Sequence, residues 1–173
     1  MLLPKSQILK AFVAILLVTG LTACGYQPLH GKRQTAQKTQ MQSELSRVWV
    51  QEIRDREGQQ LHNELLTLFN TKGRLKKPKY QLVVHYNESS SGLGIGKDDF
   101  ATRANLVVET AFVLNGNVPL EGTSQSVISY NILTSPTGTE FAKRDARVRA
   151  IKNVATDIHR RVAVHLLSEE SKK

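Results

Sequence analysis

The residues whose types could support catalysis do not form a recognisable catalytic motif. Asp98 and Asp99 are adjacent carboxylates in a region rich in serine and glycine, whereas a catalytic carboxylate pair must flank its substrate from positioned sites. The serines at 89–91 lack the Gly-x-Ser-x-Gly context of a nucleophile elbow. Residues 92–96 read Gly-x-Gly-x-Gly, which matches neither a dinucleotide fingerprint nor a P-loop and is better explained by a hairpin loop. The sequence therefore predicts a protein that is not an enzyme.

The histidines and the cysteine do not show metal-ligand spacing. His159 and His165 are six residues apart, which places them on different faces of a helix. No His-Glu-x-x-His motif occurs, and a single cysteine excludes a thiolate zinc ribbon and a disulfide scaffold. We therefore expect no metal and no freely bound cofactor.

The lone cysteine, Cys24, follows a segment typical of a secretory signal peptide. Lys5 and Lys10 give it a positive start, and residues 11–18 are an apolar run shorter than the roughly 20 residues that span a membrane. Leu21–Cys24 (Leu-Thr-Ala-Cys) resembles the bacterial lipobox, which directs a diacylglycerol to the thiol, cleavage before the cysteine and acylation of the new amine. Several acyl chains such as palmitate on one residue give near-permanent anchoring. The alternative is an ordinary signal peptide with an incidental cysteine.

Cleavage before Cys24 would leave one domain on a membrane anchor. A lipoprotein retained in the inner membrane favours Asp directly after the cysteine, whereas this chain has Gly25. The sequence therefore predicts that the protein is located in the outer membrane of a Gram-negative cell. The predicted segments are a signal peptide at 1–23, a lipidated N-terminus and polar tether at 24–46, a single domain at 47–168 and a polar tail at 169–173.

The composition fits one folded, basic domain. The chain has 173 residues, of which 40% are hydrophobic and 23% charged, as in globular proteins. Lys and Arg total 24 against 15 for Asp and Glu, which gives a formal charge of +9. Aromatic residues make up only 6%, which disfavours a stacking platform for nucleic acid. In a cell envelope, the anions within reach are lipid headgroups and the phosphates of lipopolysaccharide.

The first half of the predicted domain reads as a strand and a helix. Residues 47–53 have the β-branched and aromatic content of a strand. Asp55 is predicted to cap a helix whose apolar stripe runs from Leu61 to Phe69, although Gly58 weakens its first turn. Gly73 is a candidate helix stop.

Three strands follow. Apolar and polar residues alternate over 80–86 and again, after a predicted serine- and glycine-rich loop, over 106–114. Asn115-Gly116 is a strong hairpin signal, and the return strand is predicted over 118–132. Pro119, which cannot donate to a ladder, favours a strand-end or edge position.

The last predicted element is a helix over 141–167. Its apolar stripe runs from Val148 to Leu166, and Ser135-Pro136 marks a possible start. The element order is β-α-β-β-β-α. The predicted fold is therefore α+β, a two-layer sandwich in which a mostly antiparallel four-stranded sheet packs against two helices and keeps one wet face.

Cations are concentrated in two places. Five of them lie within eight residues between the first helix and the next strand, where contact with anionic lipid and a solvated face are both open interpretations. Arg144 lies near the apolar stripe of the last helix, so it is predicted to pack or pair at the helix start. The first cluster is Lys72, Arg74, Lys76, Lys77 and Lys79, and the last helix carries Lys143, Arg144, Arg147, Arg149, Lys152, Arg160 and Arg161.

Several segments carry a resemblance to a known family. Residues 24–31 (Cys-Gly-Tyr-Gln-Pro-Leu-His-Gly) are similar to the Cys-Gly-Phe-x-Pro-Leu-Tyr-Gly opening of the LPS-assembly lipoproteins of the LptE family, in their alphaproteobacterial form. His30 stands where that opening usually has Tyr. Residues 56–63 resemble the first helix of that family, while 129–133 and 144–146 resemble its last strand and the start of its last helix.

The resemblance implies a role in lipopolysaccharide export. Members of this family are anchored in the inner leaflet of the outer membrane, plug the LptD β-barrel, help it to assemble and contact lipopolysaccharide. Two rival functions remain: another outer-membrane lipoprotein that faces the periplasm, such as an assembly factor or pilotin-like partner of a different complex, and an envelope enzyme that would use Asp98 or Asp99.

Charge and predicted exposure, rather than a family motif, indicate which residues could make these contacts. We expect the cluster cations Lys76, Lys77 and Lys79 and the loop cations Lys97 and Arg103 to meet carboxylates of the barrel lumen or phosphates of lipid A. Neutralising the cluster is expected to weaken lipopolysaccharide binding in a salt-dependent way.

Overall fold

The predicted element order is confirmed. The computed structural model describes residues 42–70, 77–95 and 101–170, with the side chains of 93–95, 101 and 170 excluded. The predicted signal peptide, Cys24 and most of the predicted tether lie outside these residues. The elements are β1 (Val48–Val50), α1 (Arg56–Phe69), β2 (Tyr80–Ile95), β3 (Ala101–Asn115), β4 (Leu120–Asn131) and α2 (Pro136–Glu170).

The four strands form one sheet in the order β1-β2-β3-β4. β2, β3 and β4 are antiparallel neighbours, whereas β1 pairs with β2 in parallel. The sheet is thus mostly antiparallel, as predicted. β1 pairs only with Tyr80–Leu82, and the Gln51 amide extends this pairing by one bond to the Leu82 carbonyl (2.9 Å). The outer edge of β2 beyond Leu82 therefore has no β1 partner.

One face of the sheet forms the core with the helices. The predicted alternation in β3 is confirmed, since the even-numbered positions from Leu106 to Leu114 are all buried. They include Thr110, whose hydroxyl donates to the Ser124 carbonyl at 3.0 Å, so this buried polar group is satisfied. In β2 the inward positions begin with Tyr80, Leu82 and Val84.

The predicted serine- and glycine-rich loop is wrong for residues 89–92. β2 continues to Ile95, and Ser89, Ser90 and Ser91 pair in register with Val107, Leu106 and Asn105 of β3. Backbone pairing with a strongly β-forming neighbour outweighs the weak strand propensity of serine and glycine. Residues 96–100 lie outside the described residues.

α1 begins without the predicted cap. Asp55 occupies the N-cap position, but its φ is 68° and its side chain makes no capping hydrogen bond. Gly58 is buried because the helix lies against Ile53, and a Cβ at Gly58 would be 2.7 Å from the Ile53 Cγ2 atom. α1 ends at Phe69, and Gly73 lies outside the described residues.

α2 starts at Pro136, as the Ser135-Pro136 signal indicates, and is longer than predicted. The predicted stripe is confirmed from Ile151 to Leu166, but Val148 is 41% exposed. Ala146 and Ala150 face the core instead. Residues two positions apart on a helix point in nearly opposite directions, so Val148 turns outward between these two alanines.

The two helices run in the same direction. The Arg147 Nη1 and Glu57 Oε1 atoms are 3.7 Å apart, and the rings of Phe69 and His159 have centroids 5.0 Å apart. Both contacts pair an α1 residue with the α2 residue 90 positions later. Because α2 begins eleven residues before Arg147, its first turns extend past the start of α1.

Candidate interaction surfaces

The structure describes three of the six predicted site residues. Cys24, Lys76 and Lys97 lie outside the described residues. Lys77 is exposed. Arg103 is also exposed, but it lies in β3 rather than in a loop, because β3 already begins at Ala101.

Lys79 is engaged within the domain. Its Nζ lies 2.9 Å from the Glu44 Oε2 atom and 4.9 Å from the centroid of the Tyr80 ring. Tyr80 also donates its hydroxyl to Glu44 at 3.1 Å. Hydrogen bonding to Tyr80 and then to Glu44 raises the pKa of Lys79. Burial would raise the pKa of Glu44, but its hydrogen bonds from Lys79, Tyr80 and Arg47 outweigh burial and lower it.

Glu44 belongs to a helical turn over residues 42–45 that precedes β1. Leu45 from this turn is 4% exposed and packs in the core, so the core begins before Arg47. The chain therefore enters the described domain beside Lys79.

The predicted cations lie at opposite ends of the β2–β3 hairpin. Lys79 directly precedes Tyr80, whereas Arg103 pairs in register with Leu93. The fourteen strand residues from Tyr80 to Leu93 span about 40 Å at the usual rise of a β-strand. Lys79 and Arg103 therefore cannot bind one small anionic group together.

The two helices and β2 enclose an ion-pair cluster that sequence reasoning missed. Arg147 donates through Nε to Glu88 Oε2 at 2.6 Å and through Nη2 to Glu88 Oε1 at 2.7 Å. Tyr86 donates its hydroxyl to Glu88 at 2.8 Å, and Glu57 lies on the other side of the guanidinium. In the sequence, Arg147 is one of the seven cations of the last helix, and its neighbours in sequence do not mark it as paired. The available signal was Glu88, a charged residue at an inward position of an alternating strand.

This environment shifts the pKa values of the cluster. Burial would raise the pKa of Glu88, but the hydrogen bonds from Arg147 and Tyr86 outweigh burial and lower it. Hydrogen bonding to Glu88 raises the pKa of Arg147, and burial raises the pKa of Tyr86. Glu88, Arg147 and Tyr86 therefore each keep one protonation state near neutral pH, which indicates a structural role.

The opposite face of the sheet is not covered by any helix of the described part. Its centre is a shallow depression of about 450 Å³, lined mainly by small polar side chains from three strands. Hydrogen bonds between neighbouring strands cross this face, from Gln125 to Glu109 at 2.8 Å and from Ser129 to Asn105 at 2.6 Å. The outward-facing side chains of the depression are His85, Asn87, Glu109, Ala111, Thr123 and Gln125.

A second cavity lies where α2 extends past the start of α1. It measures about 260 Å³ and is lined by the first turns of both helices. The prediction that Arg144 packs or pairs is wrong: its side chain is exposed, and no ion pair to it is found within residues 42–70, 77–95 and 101–170. The lining residues are Arg56, Glu57, Gln60, Thr137, Glu140, Phe141, Arg144 and Arg147.

The described residues supply neither a metal centre nor a membrane helix. No three His, Cys, Asp or Glu side chains among them come together as a metal site. None of the described helices is both long and apolar enough to cross a bilayer.

Several solved structures share this fold. A Caulobacter crescentus protein assigned as a lipoprotein superposes with a TM-score of 0.64 and 19% identity, over 75% of this chain and 98% of that one. Rare lipoprotein B from Shewanella oneidensis superposes with a TM-score of 0.57 and 11% identity, over 71% of this chain and 96% of that one. A minor lipoprotein from Acinetobacter baumannii superposes with a TM-score of 0.55 and 18% identity, over 69% of this chain and 92% of that one. The chain thus has the two-layer α+β fold of these lipoproteins.

The likeness is one of fold. No protein-family model matches the sequence, and no curated protein matches it.

Proposed function

We propose that this chain is an outer-membrane lipoprotein that plugs and helps to assemble an LptD-type β-barrel and takes part in lipopolysaccharide transport to the cell surface. Its anchor would be the acylated Cys24, in the inner leaflet, with the domain facing the periplasm and the barrel lumen. The lipoprotein fold and the similarity of residues 24–31 to the LptE opening support this assignment.

The observation that carries the proposal is the uncovered polar face of the sheet. A solvated polar sheet face of this kind also suits the interior of a β-barrel, which is polar and supplies hydrogen-bonding partners for Asn, Gln, Ser and Thr side chains. The exposed rows of three neighbouring strands give a surface wide enough for extended contact. No catalytic step is assigned to the chain.

The basic residues would act at the two ends of the domain. Lys77 lies at the end where the chain enters from the predicted anchor, and Arg103 lies toward the other end. Each could meet a lumen carboxylate or a lipid A phosphate. Lys79 would contribute mainly by holding the turn that contains Glu44, because its charge is already paired.

The test is a pull-down of the tagged lipoprotein from outer membranes in mild detergent, with identification of the stoichiometric partner. We expect one large β-barrel protein, together with bound lipopolysaccharide, and we expect the complex to be lost when the barrel is depleted. A variant with Thr123→Arg and Gln125→Arg in the polar face should recover less barrel. Its matched control, Arg160→Ala on the outer side of α2, should recover the normal amount.

Other outcomes would redirect the assignment. A different stoichiometric partner would support the alternative of an assembly factor or pilotin-like protein for another envelope complex. Recovery of the lipoprotein alone would remove the barrel assignment and leave the fold unaffected.

A further inference from the structure

The start of α2 exposes residues that the fold itself does not use. No residue from Pro136 to Asp145 is buried, and the first buried position of the helix is Ala146. Ile132, Leu133 and Phe141 are 37%, 49% and 65% exposed in the same region. Phe141, the most exposed of the three, also lines the adjoining cavity.

The charges of the adjoining cavity are unevenly paired. Arg147 is held by Glu88 and lies beside Glu57, so its positive charge is already neutralised by these carboxylates. Arg56 and Arg144 take part in no ion pair among the residues that the structure describes. The cavity therefore presents two uncommitted guanidinium groups, each shaped to bind a carboxylate through two hydrogen bonds.

The size and the acids of the cavity limit what it can bind. A volume of about 260 Å³ holds one or two side chains and is too small for an acylated disaccharide. Glu140 on the rim disfavours a multiply charged phosphate more than a single carboxylate. Phe141 beside two arginines is the combination of aromatic and guanidinium groups that is enriched where proteins bind one another.

We infer that this cavity, the α1–α2 cleft, binds a protein segment that places an Asp or Glu side chain against Arg56 and Arg144 and an apolar side chain against Phe141. The inference deepens the proposed function, because it rests on a protein partner of the kind proposed there and names the chemistry of that partner's docking segment.

The experiment is photo-crosslinking in intact cells that express the full-length, acylated protein, with a benzophenone amino acid at position 141. We expect a crosslink to one protein, mapped by mass spectrometry to a segment with an acidic residue beside an apolar one. Val164 is 61% exposed. A second variant with benzophenone at position 164, near the far end of α2, serves as the positional control. It should not reach that segment.

Charge dependence is tested in the same cells. The double change Arg56→Gln and Arg144→Gln should lower the crosslink yield about tenfold, which is the effect of about 1.4 kcal/mol. The matched change Arg160→Gln and Arg161→Gln removes two exposed arginines of α2 that pair with Asp157, and it should leave the yield unchanged. Circular dichroism of each variant checks that the fold is kept.

The outcomes separate the two proposals. A crosslink to lipopolysaccharide, to a segment without an acid, or of a yield insensitive to Arg56 and Arg144 would overturn the cleft inference. If the pull-down recovers the barrel but position 141 crosslinks to nothing, only the cleft inference fails. If no barrel is recovered but position 141 still reaches an acidic segment of another protein, only the barrel assignment fails.

Discussion

Arg147 and Glu88 are 59 positions apart in sequence and form a two-pronged ion pair between α2 and β2, with N–O distances of 2.6 and 2.7 Å. Their side chains are only 19% and 15% exposed. The planar guanidinium matches both carboxylate oxygens, so the pair fixes the rotation of α2 against the sheet as well as its position.

Arg147→Met should destabilise the domain by about 2–3 kcal/mol, because it leaves the partly buried Glu88 carboxylate without its partner. Urea denaturation of the purified protein measures this change. Arg149→Ala is the matched control, since Arg149 pairs with Asp145 on the exposed side of α2 and should cost less than about 0.5 kcal/mol. Adding Glu88→Leu to Arg147→Met should restore most of the loss. A double variant no more stable than Arg147→Met would contradict this account.

Acid should weaken the same contact. The pKa of Glu88 in the folded state lies below its ordinary value of 4.5. The stability contributed by this carboxylate is therefore complete above about pH 4.5 and is lost as the pH falls through the lowered pKa. Glu88→Gln should have a lower free energy of unfolding than the unchanged protein at pH 7. The difference between the two free energies should become smaller toward pH 3. If the free energies of unfolding of the two proteins changed in parallel between pH 7 and pH 3, Glu88 would not be the group responsible for the loss of stability in acid.

His159 should make the domain sensitive to mildly acidic pH. Burial against Phe69 lowers the pKa of His159 below 6.5, so the folded protein binds this proton less tightly than the unfolded chain does. The associated stability is complete above about pH 6.5 and decreases as the pH falls below that value. His159→Phe keeps an aromatic ring against Phe69. It should reduce the change in the free energy of unfolding, measured by urea denaturation, between pH 7.5 and pH 5.5. If the stability of His159→Phe depends on pH as strongly as that of the unchanged protein, a group other than His159 is responsible.

Gly58→Ala should destabilise the domain by about 1–3 kcal/mol, although alanine is the better helix former. The added Cβ would be 2.7 Å from the Ile53 Cγ2 atom and 3.3 Å from the Ile53 carbonyl carbon. Relief requires that the segment before α1 move away. Asn63→Ala, at an exposed position of α1, carries only the propensity gain and should be neutral or slightly stabilising. Thermal unfolding of both variants is the measurement. A lower unfolding temperature for Gly58→Ala supports the clash with Ile53, and a higher one supports the helix propensity of alanine.

Much of the fold could be predicted because the inward row of β3 is apolar except at Thr110. Leu106, Val108, Phe112 and Leu114 define the period of β3, and Asn115-Gly116 defines its end. The extent of β2 could not be predicted in this way. Serine and glycine at 89–92 are held in the sheet by β3, which is a tertiary effect that local propensity does not contain.

The candidate surfaces were less predictable than the fold. A list of cations in sequence does not show which of them meet an acid. The sequence predicts packing or pairing for Arg144, which is exposed, whereas the cations engaged by glutamates include Lys79 and Arg147. Their partners Glu44 and Glu88 are 35 and 59 positions away. Pairings at such separations depend on the sheet register and on the direction of α2, which the periodicity of each element leaves open.

The brevity of β1 has a consequence for the order in which the domain assembles. β2, β3 and β4 each pair with the strand next to them in sequence. β1 is separated from β2 by α1 and pairs with it at only three register positions. Contacts between nearby residues cost less chain entropy to close, so the three-stranded meander can form first. β1 and the turn that carries Glu44 then dock last, and they are the parts that should open first when the protein is stressed.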